Sequence, residues 1–220
     1  MIYIHKSQEP RLLTEYKYKV GASYEEMDSE PKTATQDQLL RDQGYLCAYC
    51  MRRINDRSEM RIEHWYPRNP DHDEYDRLRA LDYNNMLAVC YGNEKAGLGE
   101  AFTTCDVHRH NDEIYINPCM IERIDQILYK SNGIIYSGNQ CIQKDLQLTL
   151  NLNCEHVSLP QNRKAALDSL KQKMKRETAG MNNDKFKSYC QKIYRGISTA
   201  DRKMPFVGIL LVYLRDKIDR

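Results

Sequence analysis

The chain has 220 residues and a mass of 25.9 kDa, with 33 basic against 31 acidic side chains. At 41% hydrophobic and 29% charged, with 10 Gly and 7 Pro, it is neither a disordered polar tract nor a collagen-like repeat, and it can bury the core of one large domain or two small ones. A membrane helix needs roughly 18–20 consecutive apolar residues, and the longest apolar run, Phe206 to Leu214, has nine.

The opening residues Met1 to Ile4 read as a short strand followed by a loop through Pro10. They lack the extended apolar stretch of a secretory signal, so a cytoplasmic protein is expected. Tyr16 to Val20 alternates as a strand does. Thr35 to Tyr45 reads as a helix with Leu39 and Leu40 inward and Gly44 ending it. Alternation around Ile62, His64 and Tyr66 fits a strand, and Asn69 to Arg79, dense in Asp, Arg and turn residues, reads as an exposed loop. Beyond residue 150 the character changes. Ser158 with Gln161 makes a capping box before Ala166, Leu167, Leu170 and Met174, which share a helical face. Asp184 can cap a second helix with Phe186, Tyr189, Cys190, Ile193 and Tyr194 on one side. Phe206 to Leu214 follows Pro205 as a buried final helix or strand. Residues 161–204 carry 12 basic against 4 acidic side chains. Such an excess either neutralises phosphates or forms the solvated face of ordinary helices, and both readings stay open.

Eight cysteines in a chain expected to be cytoplasmic point to metal binding, catalysis or burial rather than disulfides. Cys47-Ala48-Tyr49-Cys50 is a C-x2-C knuckle, a spacing that lets two thiolates from one tight turn reach the same tetrahedral ion. Cys90 and Cys105 are the best candidates for the other half of a four-cysteine zinc site; simple burial is the alternative and the default for Cys119, Cys141, Cys154 and Cys190. Between the two halves lies Glu63-His64. Neighbours on a strand face opposite ways, so the pair suits one metal ligand and one base rather than a shared ion.

Taken together, Cys47-x2-Cys50, Glu63-His64 with Pro67 after it, Asn85-x4-Cys90 and the final cysteine resemble a zinc-knuckle HNH endonuclease of the ββα-metal type, over about residues 47–111. The resemblance implies a structural zinc on Cys47, Cys50, Cys90 and Cys105. It implies a catalytic Mg2+ or Mn2+ on Glu63 and Asp106, His64 as general base, and Asn85 steadying the histidine. In that family the last two cysteines usually form a second C-x2-C pair. Here Tyr91 to Thr104 intervenes, so Asn93, Glu94, His108 and Asn111 stand beside Asp106 as possible second ligands.

A wider similarity covers Met1 to Pro10, the insertion before Cys105-Asp106, Ile116-Asn117-Pro118, and Leu150-Asn151-Leu152-Asn153 with the basic helices after it. It is to the PtuB family, HNH subunits of Septu antiphage defence also found in retron systems. That resemblance implies an effector nuclease working with a PtuA-like ABC-type ATPase, and with a reverse transcriptase and multicopy single-stranded DNA in retron forms. The expected fold is α+β: a zinc-knuckle ββα-metal HNH domain with an N-terminal extension in residues 1–118, and a mainly helical C-terminal region, 119–220, that can dock a partner.

The chemistry implied is phosphodiester hydrolysis of DNA or tRNA. Neutral His64 takes a proton from water, Asn85 fixes its ring through a side-chain hydrogen bond, and the divalent cation carries the phosphate charge. Arg61, Arg68 and Arg109 are close enough in sequence to hold the substrate backbone, although a plain surface position is the commoner fate of each. No GxxxxGK[ST] phosphate loop occurs, so any ATP binds elsewhere. The competing reading is a non-catalytic zinc-organised module that binds nucleic acid or protein.

Overall fold

The computed structural model describes residues 1–68, 78–97 and 99–219. Met1 and Ile4 are buried but form no strand; Ile4 N–H donates to the Pro118 carbonyl at 2.8 Å, one backbone bond rather than a ladder. The alternating stretch Tyr16–Val20 is instead the end of helix α1 (Arg11–Lys17) and a turn, with Tyr18 and Val20 exposed. Pro10 stands just ahead of α1, where its missing N–H costs nothing. Helix α2 (Ser29–Asp42) starts six residues before the expected Thr35 and buries Pro31, Thr35, Leu39 and Leu40. Its Pro31 lies in the first turn, where amide groups have no intrahelical partner, so the helix tolerates it. Gly44, at φ +61°, then turns the chain out of the helix.

Strands β1 (Met60–His64) and β2 (Met86–Cys90) pair antiparallel, from Met60↔Cys90 to His64↔Met86. Every residue of β2 is buried, and the strand packs against β1, α2 and the short helix α3 (Cys105–Arg109). The knuckle reaches this sheet directly, Ala48 N donating to the Ala88 carbonyl at 3.0 Å, and also through Gln43, whose side chain acts as a surrogate strand. Its Nε2 donates to the carbonyls of Leu46 (2.9 Å) and Ala88 (2.7 Å), and its Oε1 accepts from Ala88 N (2.8 Å). The exposed loop expected at Asn69–Arg79 falls mostly outside the described residues.

Past α4 (Ile121–Ile124), a hairpin of β3 (Ile127–Tyr129) and β4 (Ile135–Ser137) appears that the sequence reading did not anticipate, followed by α5 (Gln140–Lys144). Among the described residues the fold is thus α+β, with two small two-stranded sheets. Helices α6 (Leu159–Glu177), α7 (Asn183–Ser198) and α8 (Val207–Asp219) complete the chain. The capping box at Ser158 does not form: Ser158 is left-handed at φ 57°, and its side chain makes no cap bond. Asn182, not Asp184, caps α7 by accepting from Lys185 N.

The apolar stripes of α6 and α7 pack with α8 into their own cluster, built on Leu167, Leu170, Met174, Cys190, Ile209, Leu210 and Leu214, so they are intramolecular core. The larger core draws on residues from Met1 to Leu159, on both sides of position 118. Of the basic residues in 161–204 most are exposed, but Arg163 is buried. It donates to the Gly133 carbonyl (2.6 Å), the Leu152 carbonyl (2.9 Å) and Asn153 Oδ1 (3.0 Å), tying α6 to the hairpin. No helix among the described residues is long and apolar enough to cross a membrane.

Candidate functional site

The four cysteines singled out by spacing meet. Cys47 and Cys50 sit in a turn pinned by Cys47 N to Arg52 O (2.9 Å) and Met51 N to Cys47 O (3.0 Å), with Met51 at φ 62°. Cys90 ends β2, and Cys105 opens α3. The long excursion between them is pinched shut at its base: Thr104 N donates to Gly92 O at 2.9 Å, and Gly92 takes φ +51° with its α-carbon against the Thr104 backbone. A Cβ there would lie 2.1 Å from the Thr104 carbonyl oxygen, so the closure needs glycine. All four sulfurs are buried and within 4.8 Å of one another, with edges of 3.8 Å (Cys47–Cys105), 3.7 Å (Cys50–Cys90) and 3.9 Å (Cys90–Cys105). Zinc–sulfur bonds of about 2.3 Å set tetrahedral edges of about 3.8 Å. The donor set therefore fits zinc. Burial opposes charge on Cys47, but hydrogen bonds from Cys105, Cys50 and Cys90 pull its thiol well below the usual range; the same contacts, with burial, push Cys105 up.

Next to this frame is a cavity of about 260 Å³ lined by Glu63, His64, Asp106 and Asn111, with Arg61 and Arg68 among its cationic neighbours. His64 is 4% exposed. Its Nε2 lies 2.9 Å from the Ala80 carbonyl oxygen, which can only accept, so Nε2 carries the proton and Nδ1 is the bare nitrogen. Burial lowers the pKa of His64 to about 3, against the opposing Ala80 bond and with help from Arg68 and Arg109, so the ring is neutral at pH 7. Tyr24, from the segment before α2, packs edge-on to the imidazole with centroids 4.5 Å apart.

Asn85 does not hold the histidine ring, contrary to the expectation. It precedes β2 directly across from the residues that follow β1, so its Oδ1 accepts from Tyr66 N (2.7 Å) and its Nδ2 donates to the carbonyls of Tyr66 (3.1 Å) and Arg79 (3.3 Å). It fixes the chain beyond His64, while the Ala80 carbonyl fixes the ring.

Glu63 and Asp106 lie side by side. Burial, then the Asp106 carboxyl sharing a hydrogen bond with it, raises Glu63 well above the usual carboxylate range, against the pull of Arg109 and Tyr49. Of the other ligand candidates only Asn111 lines the cavity: Asn93 Oδ1 accepts from Arg52 (2.6 Å), Glu94 pairs with Arg61, and His108 Nδ1 sits 3.2 Å from Thr103 Oγ1. Arg68 pairs with Glu25 at 2.6 Å over the Tyr24 ring.

Arg109 overturns the substrate-holding and surface readings alike, because it is wholly buried. Its Nη1 contacts Glu63 Oε1, the Tyr49 hydroxyl (3.2 Å) and the His64 carbonyl (3.2 Å); Nη2 donates to the Trp65 carbonyl (2.7 Å), and Nε to the Asp112 carbonyl (2.6 Å). A signal for it existed. Residues i and i+4 share a helix face, so a ligating Cys105 at the head of α3 aims Arg109 at the same interior. Tyr24 and the Ala80 carbonyl left no such trace. No protein-family model matches this chain, and the search of the curated proteins found no relative.

Proposed function

We propose that this protein is a metal-dependent HNH endonuclease that hydrolyses nucleic-acid phosphodiester bonds. The observation that carries the reading is the meeting, in one cavity beside the four-cysteine frame, of a neutral histidine with an unprotonated Nδ1 and two adjacent carboxylates. The strand–strand–helix order of β1, β2 and α3, with Glu63-His64 ending the first strand and Asp106 following the last cysteine, supports a ββα-metal core.

The carboxylates suit a hard cation. Mg2+ takes one or two carboxylates and leaves its other positions to water and phosphate. Arg109 gives Glu63 one positive neighbour, and Mg2+ or Mn2+ on Glu63 and Asp106 would supply the further charge that lets both adjoining carboxyls ionise together. When bound, the cation supplies counter-charge for the phosphate and its leaving oxygen. His64 does the proton work: Ala80 holds Nε2–H, and Nδ1 takes the proton of the attacking water. Arg109 holds the carbonyls of His64 and Trp65, and Asn85 holds the chain at Tyr66 just beyond them. Zinc is structural. On resemblance alone, the nuclease is the effector of an antiphage complex with a PtuA-like ABC-type ATPase, in a Septu or a retron setting, acting on DNA or tRNA.

A second reading, the non-catalytic zinc-organised module, draws on the Arg109–Glu63 ion pair, which a structural carboxylate would also make. One experiment separates them. Purified protein, with and without its ATPase, is incubated with duplex DNA, single-stranded DNA and total tRNA in Mg2+. Cleavage should fall about 10²- to 10⁴-fold in His64→Ala while zinc content and melting temperature hold. Equal cleavage by the variant removes His64 as the base, and no cleavage by the wild type on any substrate favours the module.

A further inference from the structure

Glu63 reaches the cavity with its two oxygens in different positions. Tyr49 OH (3.2 Å) and Arg109 Nη1 both approach Oε1. Neither donates to Oε2, and the carboxyl also borders the open cavity and Asp106. Both donors are rigidly placed. Tyr49 lies inside the zinc knuckle between Cys47 and Cys50, and Arg109 follows Cys105 by one helical turn, so the residues of the zinc frame also orient this carboxylate. A carboxylate whose one oxygen is occupied by a guanidinium and a phenol can offer a cation a single oxygen.

That restriction discriminates between cations. Ca2+ takes six to eight oxygens at about 2.3–2.6 Å, from carboxylates that bind through one oxygen or both, so a carboxylate held to one oxygen forfeits a ligand it could give Ca2+; Mg2+ needs only six in a near-ideal octahedron at about 2.0–2.1 Å, several of them waters, and loses less. We propose that Tyr49 and Arg109 are positioning residues that restrict Glu63 to one-oxygen ligation, and so make the site select Mg2+ or Mn2+ against Ca2+. This rests on the reading of Glu63 as a metal ligand.

The test is displacement of Mn2+, followed by the free-ion electron paramagnetic resonance signal, with Mg2+ or Ca2+ as competitor, on the full-length zinc-loaded chain. In the wild type, Ca2+ should displace Mn2+ no better than Mg2+ does; stronger displacement by Ca2+ overturns the proposal without any variant. Tyr49→Phe keeps the ring and removes one donor from Oε1, and Ca2+ should then compete about three- to ten-fold better relative to Mg2+, the equivalent of one hydrogen bond. Zinc content and melting temperature report that the fold persists. An unchanged Ca2+/Mg2+ ratio in Tyr49→Phe, with Mn2+ binding abolished in Glu63→Gln, overturns the selectivity role and leaves Glu63 a ligand. Unaltered Mn2+ binding by Glu63→Gln overturns both.

Discussion

Zinc removal is the perturbation with the largest expected effect. Three of the sulfur edges, at 3.7–3.9 Å, match those of a zinc tetrahedron and all four sulfurs lie within 4.8 Å of one another, so a zinc ion there would use all four ligands and leave no open position. Structural zinc in comparable sites contributes roughly 10–16 kcal/mol, as much as the 5–15 kcal/mol by which a whole domain is stable. A zinc ion on these cysteines would join segments distant in sequence: the knuckle, the end of β2 and the head of α3. Its loss leaves four buried sulfurs with only one another as partners. The larger core, which contains every one of these cysteines, should therefore unfold, while α6, α7 and α8 keep the core they share among themselves. Hydrogen exchange by mass spectrometry, with zinc content measured in parallel, reads both parts in one experiment: after chelation, or in Cys50→Ser, amides of β1 and β2 should lose protection while those of α6 and α8 retain it. A zinc-free Cys50→Ser protein with wild-type melting temperature and protected strands would refute the reasoning.

Three further outcomes follow from single contacts. Gln43→Ala removes three hydrogen bonds at a buried site and leaves Ala88 N–H without that acceptor, so chemical denaturation should show a loss of about 3 kcal/mol and faster zinc release to a chelator. Gly92→Ala sets a Cβ against the Thr104 carbonyl, whereas Gly97, also at positive φ, has nothing within 4 Å; Gly92→Ala should lose zinc, and Gly97→Ala should cost only about 1 kcal/mol of backbone strain in the same titration. Burial lowers the Lys6 pKa to about 8, against the pull of Cys119, Asp42 and Asp82. The folded state thus carries a cost for its charge that is full below pH 8 and vanishes above the unfolded value near 10.5. Wild type should gain about 2–3 kcal/mol on Lys6→Met between pH 7 and pH 10 in urea titrations; parallel pH curves for the two proteins would contradict this.

The parts legible in the sequence were those set by short-range spacing. A C-x2-C turn places two thiolates regardless of the rest of the chain, and the apolar positions of α6 and α7 recur at helical intervals that bury one face wherever the helices pack. The hairpin at 127–137 escaped notice because three-residue strands carry too little alternation to stand out. Caps were misplaced for a different reason: Ser158 has the right side chain, but the chain arrives at it in a left-handed conformation that turns the hydroxyl away from its amide.

The sequence by itself determined the donor chemistry: four sulfurs that suit a soft, tetrahedral ion, carboxylates that suit a hard one and an imidazole able to take up a proton, because those preferences belong to the side chains. Tertiary structure alone decided which nitrogen of His64 is bare, which oxygen of Glu63 is occupied, and which carbonyls Arg109 braces as an interior strut. Each of those depends on a partner from elsewhere in the chain: the Ala80 carbonyl, the Tyr49 hydroxyl, and the carbonyls of His64 and Trp65. Such meetings are fixed by packing and loop closure over tens of residues, which spacing along a strand or helix does not encode.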